Sequence, residues 1–428
     1  MLIDFSVENF RSIKNEARLS LVATASKEHQ DTHVMSPSLA KGVKPMHLLR
    51  TVALYGPNAG GKSNLIKALD TMRTLVLRSH QHLDRLPITP FKFASSHIEA
   101  PTTFEVVFIS DSVRYQYGFS ACAKKVYDEW LYAFPRGRTQ IWFERSVDPT
   151  SGETSFHFGD KLMGDKDVWK RATRPNALFL TTAIQLNSQQ LQPIYQWFTD
   201  KLRLSGIAGW SPKYSMDCCL GERKQSILDF LRTADFAIAD VHVSEEDMAA
   251  TPLPPELPDQ LRELLESEST DRKKVRLKTS HETSDGQIVE LDFADESDGT
   301  RKMFSFAGPW LDALEHGRIL VIDELNGSLH PLLVKYLIAL FHNPAINTQG
   351  AQLIFTTHET AMLDQAIFRR DQIWFCERDS VQSTVLFPLT DFTPRKGVDN
   401  LERAYLSGRY GALPFVSDSS LAGDTLHG

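Results

Sequence analysis

Residues Gly56-Pro-Asn-Ala-Gly-Gly-Lys-Ser63 fit the pattern G-x-x-x-x-G-K-[ST] at every position. An apolar run, Leu48–Tyr55, leads straight into them. A proline-free segment, Asn64–Leu77, follows with Leu65, Ile66, Leu69, Met72 and Leu75 at helical spacing. Strand, glycine-rich turn and helix in that order make an anion cradle, because the turn aims backbone N–H groups inward and the helix N-terminus adds a positive end. Few folds hold that unit, and nearly all are α/β with a parallel sheet. The expected ligand is ATP with Mg²⁺. Gly56, Pro57, Asn58, Ala59, Gly60, Gly61 and Asn64 would line the phosphates, Lys62 would reach the β- and γ-phosphates, and the Ser63 hydroxyl would ligate the metal.

Such a loop requires an acidic partner. Arg318-Ile-Leu-Val-Ile-Asp-Glu324 is an apolar strand ending in two acids. Taken alone, that pattern is a strand entering a loop. Beside a phosphate loop, Asp323 would hold magnesium through water and Glu324 would polarise the attacking water. A second apolar strand, Gln352–Thr357, is followed by His358, whose imidazole would contact the γ-phosphate and sense hydrolysis. Upstream, Glu296-Ser-Asp-Gly-Thr-Arg-Lys302 separates a strand from a helix. Ser297 or Asp298 would cap that helix, and Ser297 with the Gly299 backbone would also bind an anion there.

The chain opens with an alternating run, Met1–Phe10, and then a polar stretch, Ser26–Pro45. Between Phe91 and Glu144 the period is two, predicting an antiparallel meander of Phe104–Ile109, Arg114–Ser120, Glu129–Phe134 and Gln140–Phe143. The stretch from about Asp148 to Asp285 reads as mostly helical, with amphipathic Leu191–Leu204 and Arg223–Leu231 and an acidic helix Pro255–Ser267. A strand at Gln287–Phe293, a helix at Thr300–Leu314, the strand Ile319–Ile322, a helix Pro331–Phe341 and the strand Gln352–Thr356 follow. The expected organisation is an N-terminal lobe (1–147), a helical insertion (148–285) and a C-terminal lobe (286–428).

At 428 residues the chain has room for a core domain and a sizeable insertion. With 42% hydrophobic and 24% charged residues the composition is globular, and a net charge of -7 argues against a chain constitutively coated with nucleic acid. Cys122, Cys218, Cys219 and Cys376 form no C-x-x-C pair, so neither a zinc site nor a disulfide framework is expected. No signal-peptide pattern and no apolar stretch near the roughly 20 residues of a membrane helix are visible, so the chain reads as cytoplasmic without a membrane role.

Phosphate loop, Ser297–Thr300, Asp323–Glu324 and His358, in this order, resemble the ABC-type ATPase heads of the SMC, RecF and OLD-nuclease group. That resemblance implies a mixed sheet with flanking helices plus an antiparallel β meander. The signature reads Ser-Asp-Gly-Thr where transporter-like heads have Ser-Gly-Gly-Gln, and His330 stands where those heads carry an aspartate. Asn9-Phe-Arg-Ser12 is similar to the group's opening motif, which implies that Arg11 and Ser12 lie near the nucleotide. Gln185, with Gln140 as its rival, is the candidate for the group's magnesium-ligating glutamine. Pro90-Phe-Lys-Phe93, Asn176–Leu180, Asp371–Phe375 and Tyr405–Gly411 resemble the bacterial RloA/AbiL-type ATPases over essentially the whole chain.

The resemblance implies an ATPase whose two copies close around ATP, with Ser297, Asp298, Gly299 and Thr300 of one copy facing the phosphate loop of the other. It also implies an anti-phage role beside a separately encoded nuclease-like or Toprim-like effector, as a homodimer or higher even oligomer. Two alternatives stand beside it: a RecF-like DNA-maintenance ATPase, and a nucleotide-gated scaffold that hardly turns over. The basic run Arg272–Lys278 reads either as a solvated strand or as an edge contacting DNA or RNA phosphates. The aromatic tail Tyr405–Phe415 reads as a packed C-terminal element.

Overall fold

The computed structural model describes residues 1–40, 42–81, 84–206, 209–234, 236–247, 273–392 and 400–414. The acidic segment Pro255–Ser267, Arg272 of the basic run and Phe415 of the tail lie outside the described residues. The chain divides into two compact units. The first comprises Met1–Ala208, Ala313–Gly327 and Val334–Gly428, and the second Gly209–Asp312 and Ser328–Leu333.

Strands are numbered along the chain: β1 (Leu2–Glu8), β2 (Ala17–Ser20), β3 (Val34–Met35), β4 (Leu48–Leu49), β5 (Thr51–Tyr55) and β6 (Thr102–Ser110). They continue as β7 (Val113–Ala121), β8 (Val126–Phe134), β9 (Gln140–Val147), β10 (Thr154–Phe158), β11 (Leu202–Ser205) and β12 (Asp240–Asp247). The last six are β13 (Lys273–Glu282), β14 (Ile288–Asp292), β15 (Ile319–Ile322), β16 (Gln352–Thr356), β17 (Ile373–Arg378) and β18 (Thr384–Pro388). The fold is α/β. In the first unit a seven-stranded sheet runs β10-β9-β8-β7-β6-β1-β2, and a six-stranded sheet runs β11-β15-β16-β5-β17-β18. The former is antiparallel throughout. In the latter all pairs are parallel except β17 with β18.

The two sheets read differently in sequence because their faces differ in solvent contact. β6 alternates strictly at its start, one face packed and one partly wet, whereas β5, β15 and β16 are buried at every residue. Phe5, Phe104, Phe108 and Leu131 of the meander, Val52, Val321 and Ile354 of the parallel sheet, and Leu65, Leu69 and Met72 of the helix Lys62–Arg78 belong to one buried cluster. Helix and sheets therefore hold each other through a continuous apolar core, and the phosphate loop is anchored at both of its ends.

The segment from 148 onward departs from the helical expectation. Leu191–Leu204 is one short helix, Gln192–Gln196, then a π-helical turn Trp197–Lys201, and then strand β11. The open edge of β15 decides this, because Leu202 through Ser205 pair with Ile319 through Ile322 and satisfy a strand that would otherwise lie bare. Residues 148–206 accordingly pack with the first unit. Phe179 and Leu180 sit in the meander core, where the buried Glu129 carboxylate accepts their N–H groups at 2.5 and 3.0 Å. The compact-unit boundary thus falls after Ala208, not near 147.

Among its described residues the second unit mixes helix with a β-sheet that the helical expectation did not include. It carries the antiparallel sheet β12-β13-β14 together with the helices Lys213–Leu220 and Lys224–Thr233 and the start of a long helix, Asp298–His316. Its core joins Trp210 edge-on to Phe306 and Trp310, and Ser215 Oγ accepts from Gly308 N at 3.0 Å. The basic run Arg272–Lys278 falls largely on β13, and Lys278 pairs with Glu290 of β14 at 3.1 Å. No described helix is long and apolar enough to cross a membrane.

Candidate functional site

Gly56, Asp323 and His358 all follow the C-terminal ends of strands in the parallel sheet, where the order β15-β16-β5 makes those strands neighbours. In an open α/β sheet this edge is where ligands bind, since the loops leave there and backbone N–H groups are spare.

The phosphate loop is held by what surrounds it. Gly56 has φ +148°, and an added Cβ would collide with the carbonyl oxygen of Cys376 on β17. Gly61 has φ +105° and would meet the Thr384 side chain on β18. Thr384 Oγ1 in turn lies 2.8 Å from Ser12 Oγ, Thr384 N donates to Ser12 O at 2.7 Å, and Asn64 Nδ2 donates to Ser12 Oγ at 2.7 Å. Ser12 therefore sits at the loop. Arg11 is exposed, its guanidinium 5.5 Å from the Phe10 ring centroid and its backbone N–H on Thr89 O at 2.9 Å.

The loop fits a phosphate chain on its own chemistry. The helix Lys62–Arg78 starts from Gly61 without a side-chain cap, leaving its first turn available for an anion. Among the described residues, the buried Lys62 ammonium donates only to loop carbonyls, Gly56 O at 2.7 Å and Pro57 O at 3.1 Å. Burial lowers its pKa, and the nearby Asp323 and Glu324 oppose that shift. Ser63, beside it, is half-buried.

The acidic pair is built by Thr356, a residue the sequence reading passed over. Its Oγ1 donates to Asp323 Oδ1 at 2.7 Å and accepts from Glu324 N at 2.7 Å. Asp323 is 4% exposed and its other carboxylate oxygen has no hydrogen-bond partner among the described residues, a donor set suited to a hydrated divalent cation. Ser63 and Asp323 are thus the residues that would hold Mg²⁺, which supplies charge to offset phosphate oxygens. Glu324 takes φ +56°, a left-handed backbone that a non-glycine residue adopts only where its surroundings impose it. That conformation points the chain away from the strand while Leu325 N returns to Thr356 O at 3.1 Å.

His358 Nε2 stands 3.7 Å from Glu324 Oε1. Burial and the Lys62 charge lower its pKa against the opposing pull of Glu324 and Asp323, which favours a neutral imidazole. Lys62, Asp323, Glu324 and His358 are therefore one electrostatic group. Gln185 is not brought to it. Its helix, Phe179–Gln185, is tied to the far end of the helix Lys62–Arg78 by Thr181 Oγ1 on Val76 O at 2.8 Å. Val76 lies roughly 20 Å along that helix from Lys62.

Ser297–Thr300 belong to the second unit. Ser297 Oγ accepts from Thr300 N at 3.1 Å and meets Thr300 Oγ1 at 2.7 Å, so it caps the helix Asp298–His316. Asp298 pairs with Arg301 one turn on. A Cβ on Gly299 would approach Ser328 O to 3.3 Å, so this position keeps the turn tight against the chain that follows Glu324.

Two supporting positions, Thr356-Thr357 and Thr384, differ in what the sequence shows of them. Thr356-Thr357 end an apolar strand with two hydroxyls, the second of which donates to Asn326 Oδ1 at 3.0 Å. Thr384 carries no local signal, because its role arises only where β18 passes the loop.

Among solved structures, the chain is similar to the SMC head domain from Thermotoga maritima, with 12% identity, coverage of 90% of this chain and 98% of that one, and a TM-score of 0.39. It is also similar to the Smc head domain with an extended coiled coil bound to the C-terminal domain of ScpA derived from Pyrococcus furiosus, at 12% identity, 90% and 96% coverage and a TM-score of 0.37. No curated protein sequence matches. The family described as "AAA domain, putative AbiEii toxin, Type IV TA system" matches residues 52–180 and 220–364, spans that contain the phosphate loop, Asp323, Glu324, Thr356 and His358. Matched over more than half of its length at the residues that build the nucleotide group, the chain belongs to this AAA-domain family of ATPases.

Proposed function

We propose that the chain hydrolyses ATP with Mg²⁺ at a site that two copies complete together, and that this cycle controls a partner effector in anti-phage defence. The observation that carries the catalytic part is the convergence of Lys62, Asp323, Glu324 and His358 at one edge of the parallel sheet, with Thr356 fixing both acids. Lys62 and the uncapped helix start bind and orient the phosphates. Glu324 takes a proton from the attacking water, a role worth about 10²–10⁴ in rate. His358, held neutral, donates to or accepts from the terminal phosphate region and reports its loss.

The dimer part is supported by the signature turn. Ser297, Gly299 and the start of the helix Asp298–His316 form a second anion-binding terminus, and such a terminus finds its phosphate on a second copy. The effector part rests on the putative AbiEii toxin named in the family description and on the resemblance of this sequence to RloA/AbiL-type ATPases. A separately encoded nuclease-like or Toprim-like protein is the partner this reading calls for, in the cytoplasm.

A Glu324→Gln variant separates the parts. It should bind ATP with near wild-type affinity, turn over at least a hundredfold more slowly, and accumulate as an ATP-dependent dimer in light scattering. Hydrolysis at the wild-type rate removes Glu324 from the mechanism. A variant that loads ATP yet stays monomeric removes the composite site. Co-purification from the native locus, with and without ATP, tests the effector.

A further inference from the structure

A concavity of about 420 Å³ opens in the first unit where the ends of β6 and β7 meet the chain that follows the phosphate-loop helix. Arg85, Lys124 and Lys125 stand on its lining, and none of the three has an ion pair among the described residues. In a chain of net charge -7, three cations around one hollow are a local reversal of sign. Glu99 is the one acid on the lining, and the half-exposed Ile98 supplies an apolar edge.

The cations stand on a braced frame. The β7–β8 hairpin is closed by Cys122 N on Lys125 O at 2.9 Å. Leu86 N, one residue from Arg85, donates to Ala123 O at 2.9 Å, and Val126 N donates to Pro175 O at 2.9 Å. Lys125 Nζ lies 4.5 Å from the Tyr127 ring centroid, which holds its stem along the wall. Cations whose backbones are fixed lose less entropy when they close on an anion.

We infer that this concavity binds a small phosphorylated nucleoside, separate from the nucleotide of the Gly56–Ser63 loop. Arg85, Lys124 and Lys125 match phosphate oxygens. Glu99 works against a bare polyanion but accepts an amino or hydroxyl hydrogen of a base or sugar, and Ile98 offers the base an apolar surface. The volume falls in the range of roughly 300–1,000 Å³ that small-ligand pockets occupy. The inference shares no residue with the ATPase assignment, so either one stands if the other fails.

Equilibrium dialysis of the full chain against labelled ADP at low salt counts the sites. Two equivalents are expected for the wild type and one each for Lys62→Ala and for Arg85→Ala/Lys124→Ala. The double variant should also keep its ATP hydrolysis within twofold and its melting temperature. A single equivalent in the wild type that Lys62→Ala abolishes, or two retained in Arg85→Ala/Lys124→Ala, overturns the inference; a single equivalent that only Arg85→Ala/Lys124→Ala abolishes keeps it and removes the phosphate-loop site instead. A 20-mer oligothymidylate whose binding the double variant abolishes while ADP counts stay at one also overturns it, since that assigns the cations to a nucleic-acid strand.

Discussion

Thr356 Oγ1 and Asp323 Oδ1 lie 2.7 Å apart, so the end of β16 fixes the acid at the end of the neighbouring β15. The same hydroxyl accepts from Glu324 N, which makes one side chain the support of both acids. A valine at 356 keeps the shape and removes both bonds. Thr356→Val should lower kcat about 10- to 100-fold with little change in ATP affinity, because misplacing a catalytic group costs mainly in the transition state. Thr356→Ser should recover most of that loss, and equal rates in all three proteins would remove Thr356 from the site.

Gly61 is bound to the fold by two independent constraints, its φ of +105° and the Thr384 side chain against it. Gly61→Ala should weaken ATP binding more than tenfold and destabilise the first unit by about 1–3 kcal/mol through backbone strain. Gly61→Ala/Thr384→Ala should recover only part of the affinity, since trimming Thr384 leaves the dihedral strained. Full recovery would mean that crowding alone matters at this position, as read by ATP titration.

His29, His33 and His342 form a stack, with ring centroids 4.6 and 3.6 Å apart. Burial pushes His33 down to about 4 and His342 well below its ordinary 6.5, with Arg50 and neighbouring imidazoles adding to both shifts and Arg369 to that of His33. Folded pKa values below the unfolded value mean that the unfolded chain takes up protons first. Stability is therefore complete above about pH 6.5 and falls as pH drops toward 4. Melting temperatures between pH 7.5 and 4.5 should show this decline, and His33→Gln should flatten it. A wild-type curve as flat as that of the variant would exclude the stack as its source.

Glu129 is fully buried and accepts from Tyr117 Oη at 3.0 Å and from the N–H groups of Phe179 and Leu180, with Arg145 3.9 Å away. Burial raises its pKa while Arg145 and the three donors oppose that shift. Glu129→Ala leaves those donors without their acceptor and the buried Arg145 guanidinium, which donates to Ala177 O and Pro175 O, without its counter-charge, and should cost about 3–5 kcal/mol in urea unfolding. Glu129→Gln keeps an acceptor oxygen and should cost less. Hydrolysis per folded molecule should change little in either variant, since Glu129 braces the meander far from Lys62.

The family-like motifs outside the nucleotide loop turn out to be braces of the first unit. Asn176–Leu180 supplies the N–H groups on Glu129. Phe91 of Pro90–Phe93 donates its N–H to Asn9 Oδ1 at 3.0 Å. Asp371 accepts from Thr24 N and Oγ1 and pairs with the buried Arg369. Tyr405 and Tyr410 stack on Phe375, so the described part of the tail is a packed element.

The sequence alone determined the elements whose chemistry is local. The strand Thr51–Tyr55, the glycine turn and the helix after it follow from periodicity and from the few residues able to take those dihedrals, whereas Leu48–Leu49 of the same apolar run pairs with Val34–Met35 in a separate sheet. The acids after Ile322 and the histidine after Thr357 followed from strand ends that are polar where the run is apolar. The tertiary structure decided what depends on neighbours distant in the chain. It turned Leu202–Ser205 into a strand because β15 offered an unpaired edge, and it set the limit of the first unit at Ala208 rather than 147. It also gave Thr356 and Thr384 their places at the phosphate loop, where a hydroxyl acts on a residue 33 positions away or on one 372 positions away, with no local pattern to mark it.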